Sequence, residues 1–475
     1  MSQAYVLSFA KGVSVDRPSA DRIVIRMPLA SRECTFHGLT PGLGQAIDVL
    51  SSTGATEDEL TRLVEESDGT NALARLYYYL LTFADRRILS YRISCGDRWL
   101  ATLAPASTSF RFSSAPVDPQ SRYALSRFAY LHRDQEDLIL ESPLAHGKIT
   151  LHGWEGAAVA AELAKAQTPA SLCALLPGVP RDVVALFLEM LLGAGFVSEL
   201  KPDEAHPGES EALAQWDFHD LLFHARSRLG RHANPYGGTY RFKNKIKALP
   251  AVKQFCAEES IDLHRPDISS LELEDPPFTV VLERRRSIRE YGRRPITGYQ
   301  LGEFLYRSAR VKELKKTECQ DLSRRPYPGG GAIYELELYV NVRRCENIPP
   351  GLYHYCPKNH RLEKIGGPTE AVDALLKDAA RSAGLAEAPQ ILITIAARFQ
   401  RLSWKYESIA YSALLKDVGV LYQTMYLVAT AMDLAPCAIG GGDSDLFARA
   451  AGLDYYAETS VGEFLLGRRR DANFG

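Results

Sequence analysis

A pattern that occurs twice in the first two hundred residues constrains the fold most. Two strand-like apolar runs, residues 5–9 and 23–25, lead into Phe36, His37, Gly38 and Leu39. A helix follows, with Leu43, Ile47, Val49 and Leu50 on its apolar positions. Thr56 then reads as an N-cap before Glu57, Asp58 and Glu59, acids that favour a helix N-terminus. A third helix carries Leu73, Leu76, Tyr77, Leu80 and Leu81, and residues 88–91 return as a strand. The order repeats from a strand at 138–140. Residues 149–154 echo 36–39, and helices follow at Val159 and Leu163, at Thr168 and Pro169, and across 183–192. Residues 193–197 turn into a closing strand. Strand, three short helices and a hairpin is a winged-helix plan, which predicts two such modules, 1–105 and 106–203.

A winged helix that reads DNA needs several cations on its third helix to meet phosphates. Here residues 73–81 carry one arginine and 183–192 none. The net charge of the 475-residue chain is -2, so no global field attracts nucleic acid. Two roles stay open for the modules: taking an extended peptide as an added strand, or scaffolding. No apolar run of about 18 residues is present, so no membrane span is expected. The N-terminus lacks a basic segment followed by an apolar core. Eight scattered cysteines form no C-x-x-C pair, which argues against a zinc ribbon and fits a reducing cytoplasm.

Residues 204–265 read as a linker and docking segment. The stretch 201–210 is polar with Pro and Gly. Trp216, His219, Asp220, Phe223 and His224 then share helical spacing, predicting a helix with an aromatic face that packs in an interface. His219 and His224 lie five apart, which does not suit metal ligation from one face. Residues 235–242 read as a turn followed by a short strand.

The remainder, 266–475, concentrates the chemistry. Arg284, Arg285, Arg286, Ser287 and Arg289 follow apolar residues 278–282. Taken alone they are either a phosphate site, since the guanidinium fork suits phosphate oxygens, or a solvated basic turn. Residues 295–297 open a helix with Gln300, Leu301, Phe304, Leu305 and Ser308 inward. A Gly-rich loop at 325–332 precedes a strand at 334–342 with clean two-residue alternation. A hairpin is expected at 351–365; its His354, Cys356 and His360 lack a fourth ligand for zinc. The apolar run 390–397 reads as a central strand. A long helix follows, with Leu414, Val418, Leu421, Tyr422, Met425 and Val428 on its buried stripe. A second Gly-rich loop spans 438–443, and a strand at 463–466 runs into Gly467, Arg468, Arg469 and Arg470.

Arg285, Arg286, Ser287 and Arg289, the loop 328–332, Gly419 with Gln423, the loop 439–442 and Gly467 with Arg468 resemble, in order and spacing, the FMN-dependent nitroreductase superfamily over about 275–470. Residues 216–242 and 325–332 resemble the SagB/McbC-type azoline dehydrogenases, including the cyanobactin oxidases. The resemblance implies an α+β fold, a nitroreductase-like FMN-binding domain preceded by the two winged-helix-like modules, acting as a homodimer with FMN at the subunit interface. It implies that Arg285, Arg286, Ser287 and Arg289 hold the FMN phosphate and ribityl chain, helped by Arg468 or Arg469. Pro328, Gly329, Gly330 and Gly331 would reach the flavin from the partner subunit. Gln423 would also contact the cofactor, and Gly440 and Gly441 would lie near the flavin N5 edge. Lys405 and Tyr406 match the catalytic pair of that branch, and either could be the base. The implied partners are an azoline-containing precursor peptide and the cyclodehydratase of the same pathway. No metal is expected. An NAD(P)H-dependent nitro or quinone reductase and a non-catalytic docking subunit are the alternatives.

Overall fold

Local rules written in the sequence account for most of the elements. The computed structural model describes residues 4–27, 32–200, 209–255 and 257–470. It divides into two units, 1–234 and 235–475, each considered by itself. In the first, the two expected helix trios are Pro41–Ser51, Glu57–Asp68 and Leu73–Asp85, then Trp154–Glu162, Pro169–Leu175 and Arg181–Gly193. Thr56 forms a reciprocal cap: its N–H donates to Glu59 Oε2 at 2.8 Å while its hydroxyl accepts from Glu59 N. The trios bury separate cores, one around Leu43, Leu60 and Phe83, the other around Leu103, Val184 and Phe187.

The strands join what the repeat separates. Val6–Phe9, Leu89–Cys95, Arg98–Pro105, Gly147–Leu151, Asp137–Glu141 and Tyr130–Asp134 form one six-stranded antiparallel sheet in that order. Arg98–Pro105, which closes the first half, pairs with Gly147–Leu151 of the second. At one edge Leu7 is bridged to Ala55; at the other lies Tyr130–Asp134. The expected linker at 201–210 lies mostly outside the described residues. The helix Phe218–Arg226 forms, with Phe218 edge-on to Tyr130 and Trp216 against His224, while Trp216, Phe218 and Phe223 remain partly exposed.

The second unit is built on a seven-stranded antiparallel sheet. Its order is Ser260–Asp262, Arg361–Gly366, Gly351–Cys356, Leu336–Val342, Ile391–Arg398, Glu458–Arg468 and Leu434–Ile439. The apolar run at 390–397 is an interior strand buried along its whole length. Helices Gly298–Ala309 and Ala410–Ala431 cover one face through Phe304, Leu305, Leu421 and Met425. Helices Glu370–Ala383 and Ser444–Ala451 cover the other through Leu376 and Phe447.

Three expectations need correcting. Alternation at 334–342 leaves no solvent face, because Glu335 and Glu337 are buried as fully as Leu336 and Leu338. Lys253, Phe255, Arg398 and the neighbouring strands close over that polar side. Of residues 235–242 only Gly237 and Gly238 are strand, paired with Tyr406 and Glu407. Ala438 and Ile439, expected in a loop, end a strand.

Candidate active site

Two clusters form along the long helix Ala410–Ala431, nine residues or about 13 Å apart at the helical rise. The first surrounds Tyr426. Helix Phe278–Arg284 stops at Arg284, and the chain runs on extended with Ile288 N donating to Pro436 O at 2.8 Å. That places the Arg285 guanidinium over the Tyr426 ring, 5.4 Å from its centre. Ser287 Oγ lies 2.7 Å from Tyr426 Oη, which also accepts from Ala438 N at 2.8 Å. Either hydroxyl can be the donor between Ser287 and Tyr426. Gln390 stitches the stretch to the last strand: Oε1 accepts from Ile296 N at 2.9 Å and Arg468 N at 3.0 Å, and Nε2 donates to Gly292 O. At Gly467 a Cβ would collide with the Tyr291 ring.

Arg284, Arg285, Arg286 and Arg469 line a hollow of about 600 Å³, with Glu283 and Asp433 at its rim. Arg469 pairs with Asp433 at 2.5 Å and Arg470 with Glu290 at 3.4 Å. Among the described residues, Arg284, Arg285, Arg286 and Arg289 make no ion pair. Unpaired guanidinium groups around a concavity fit an anion such as a phosphate ester. Arg284, which the sequence comparison places outside the motif, lines this hollow, whereas Ser287 and Arg289 do not.

The second cluster forms at the other end of the helix. Lys405 Nζ lies 5.0 Å from the centre of the Tyr406 ring and 5.7 Å from that of Tyr240. Both side chains converge on Gly331, where a Cβ would be 2.5 Å from Tyr406 Oη and 2.8 Å from Lys405 Nζ. Its φ of +64° adds a second reason for glycine. Gly330 N donates to Asp417 of the same helix, 2.9 and 3.1 Å from its two oxygens. Gly329 sits on the Tyr334 ring, and Pro328 is exposed. The loop expected to serve a partner subunit thus touches Lys405 and Tyr406 of its own chain. Arg401, fully buried, secures its base by donating to Ile333 O at 3.2 Å, Leu249 O at 2.6 Å and Asp321 O at 2.9 Å.

Between the clusters, Gln423 is exposed on the long helix. Gly440 and Gly441 are exposed with open space around them. Tyr422 Oη anchors the start of their loop, donating to Ile439 O at 3.3 Å and accepting from Glu463 N at 2.8 Å. Burial pushes the Glu463 carboxyl up to about 7, against a lowering Ser460 hydrogen bond. Sequence reasoning passed over Asp417, Tyr426 and Arg401. A signal existed for Asp417: it is an acid within the apolar stripe of Leu414, Val418 and Leu421.

Three family descriptions match the chain. The nitroreductase family matches residues 282–468, the cyanobactin oxidase ThcOx 123–233 and the ThcOx helix turn helix domain 1–114. A nitroreductase of Methanocaldococcus jannaschii, so described by its name, is 32% identical over 182 residues, covering 38% of this chain and 85% of that protein. The chain belongs to the nitroreductase family and is an oxidoreductase. Within that family it carries the cyanobactin-oxidase modules ahead of the nitroreductase region. The microcin B17-processing protein McbC of Escherichia coli is 30% identical over 139 residues, covering 28% of this chain and 49% of that protein. The chain therefore spans about half the length of McbC. Solved structures of the E. coli microcin synthetase McbBCD complex and of a nitroreductase from Ralstonia eutropha are each 20% identical, with TM-scores of 0.35 and 0.36. They cover 53% and 50% of this chain, and 91% and 99% of their own.

Proposed function

We propose that this protein oxidises thiazoline or oxazoline rings in a ribosomal precursor peptide to thiazole or oxazole, using FMN and O2. The observation that carries the reading is the convergence of Lys405 Nζ and Tyr406 Oη on Gly331 near one end of helix Ala410–Ala431, with a hollow near its other end whose Arg284, Arg285 and Arg286 make no ion pair among the described residues. Arg285, Arg286 and Arg469 would hold the phosphate in that hollow, Arg284 adding charge. Ser287 would add its hydroxyl, and Arg289 and Arg468 would flank the ribityl chain. Gln423, Gly440 and Gly441 would line the cofactor between the clusters. FMN held there would supply a hydride acceptor for the ring carbon, with O2, reduced to H2O2, as the final oxidant.

Lys405 and Tyr406 do the proton work. Aromatisation removes a proton from the ring Cα and a hydride from the adjacent carbon. Tyr406 as phenolate beside the Lys405 cation, or Lys405 as the free amine, would take the proton. Pro328, Gly329, Gly330 and Gly331 keep side chains away from that spot and let the ring approach. The modules 1–105 and 106–203, with the segment 204–265, would take the precursor peptide and dock the cyclodehydratase of the pathway, leaving 266–475 to catalyse. The exposed stripe of Leu415, Gly419 and Gln423 on the long helix supports a homodimer. The reading places the protein in the cytoplasm. Among the described residues no helix is long and apolar enough to cross a membrane.

The test is incubation of the yellow, flavin-loaded protein with a thiazoline peptide, followed by mass spectrometry. Loss of two mass units per ring is expected. Lys405→Ala and Tyr406→Phe should keep the flavin and lose about 100-fold or more in turnover. Turnover confined to NAD(P)H and a nitroarene would overturn the reading.

A further inference from the structure

We propose that Asp417, backed by Glu335, is a positioning residue for Lys405 and Tyr406: through the Gly330 N–H it seats the Gly330 and Gly331 turn against both side chains. The inference rests on the catalytic reading of that pair.

Asp417 occupies a place on the helix where the neighbouring Leu414, Val418 and Leu421 are buried apolar residues, and it is itself 8% exposed. An acid there costs desolvation and needs a compensating partner. Its partner is the Gly330 N–H, one residue from the Cα that Tyr406 Oη and Lys405 Nζ approach. Behind it stands Glu335, 0% exposed. Among the described residues the Glu335 oxygens have no ion-pair partner; the Asp417 carboxyl faces them, and only the Glu335 N–H and the Arg325 charge act in the opposite sense.

Two buried carboxyls face to face cannot both ionise cheaply, so they hold one proton between them. Burial, with the Asp417 charge beside it, pushes Glu335 up to about 8. Burial also raises Asp417, against the lowering hydrogen bonds from Gly330 and Glu335. The surrounding charges do not replace that proton. Arg325 faces Glu335 and pulls it down, but its hydrogen bond goes to Leu336 O, and among the described residues its Nε and Nη2 bond to no acceptor. Arg401 is spent on three carbonyls and Arg398 on Glu337. Burial pushes the Tyr327 phenol up, so it stays neutral, and Tyr334 donates to Tyr327 O. Lys405 and Tyr406 lie beyond Gly331.

It follows that at neutral pH the pair carries one negative charge, held by Asp417 toward Gly330. When the shared proton leaves, two buried anions repel and the seat of Gly330 slackens. Turnover then falls on the alkaline side while peptide affinity does not change.

Two measurements on the full flavin-loaded chain test this. The first is the pH profile of kcat and KM with a thiazoline peptide. In the wild type kcat should fall above about pH 8. Glu335→Gln, permanently neutral, should abolish that fall, and Asp417→Asn should flatten it while keeping an acceptor for Gly330. Asp417→Ala should lose about tenfold to a hundredfold in kcat at unchanged KM. The second is hydrogen–deuterium exchange of a peptide covering 328–334. Protection at Gly330 should drop in Asp417→Ala, and above about pH 8 in the wild type but not in Glu335→Gln. An alkaline limb identical in wild type and Glu335→Gln, or unaltered Gly330 protection in Asp417→Ala, overturns the proposal. A wild type inert toward azolines overturns the functional reading alone, because the exchange measurement still decides the seating. If Asp417→Ala does not fold, the wild-type exchange profile and Glu335→Gln decide it.

Discussion

Two regions of the second unit gather charge, and they treat it in opposite ways. The arginine hollow keeps Arg284, Arg285 and Arg286 free of ion pairs among the described residues, at a concave surface. The polar face of the seven-stranded sheet buries its charges and pairs them. His354 presents Nε2 to Glu337 at 3.1 Å and Nδ1 to Glu363 at 3.0 Å. Both ring nitrogens face carboxylate oxygens, so the imidazole is doubly protonated. Arg398 completes Glu337 and Arg361 completes Glu363. Next to them Tyr339 Oη donates to Glu458 at 2.5 Å and Lys253 to its other oxygen at 2.7 Å. The hollow draws on one short run, Arg284 to Arg286, with Arg469, whereas the paired region collects residues from 253 to 458. The paired one holds strands and the 253–255 segment together, while the unpaired one has capacity left for a ligand.

The largest expected effect breaks the paired region. His354→Ala leaves Glu337 and Glu363 buried without their shared cation and should cost about 3–5 kcal/mol of stability. Urea unfolding of the flavin-free protein measures it, and FMN affinity of the folded variant should not change. Arg286→Ala should do the reverse. FMN binding, followed by flavin fluorescence, should weaken about tenfold to a hundredfold, with the urea midpoint of the flavin-free protein unmoved. A stability loss in Arg286→Ala matching that of His354→Ala would erase the distinction between the regions.

The smallest effect is the pH dependence of stability. Burial alone would raise Glu337, but the His354 hydrogen bond and the Arg325 and Arg398 charges hold it at about 2, below its ordinary 4.5. Its contribution is present above 4.5 and is lost as pH falls toward 2. Burial would lower His354, but its bonds to Glu337 and Glu363 raise it above 6.5. That contribution is complete below 6.5 and is lost as pH rises through the raised value. Glu335, raised to about 8 by burial and Asp417, costs stability progressively from 4.5 to 8, because the unfolded chain gives up its proton first. Unfolding midpoints should therefore peak near pH 4.5 and decline from there towards pH 8, with Glu335→Gln reducing that decline.

Legibility followed locality. The Thr56 cap needs Glu59 three residues on, and the long helix declares its inner face by spacing alone. The arginine stretch was visible, but its membership was not. Where helix Phe278–Arg284 ends, and how Ile288 joins Pro436, decides that Arg284 faces the hollow while Ser287 turns to Tyr426. The alternation at 334–342 does not record that Glu335 and Glu337 are buried, because the residues that cover them lie far off in sequence.

The sequence by itself determined the repeated module, the apolar strand at 391–398, the long helix and the motifs of a nitroreductase region, because these depend on neighbours within a turn or a strand. Tertiary structure alone decided which charges are spent and which are spare. Pairing His354 with two glutamates, or Gly330 with Asp417, requires strands and loops remote in the chain to meet. Burial makes each such meeting either costly or stabilising, and no local pattern records which.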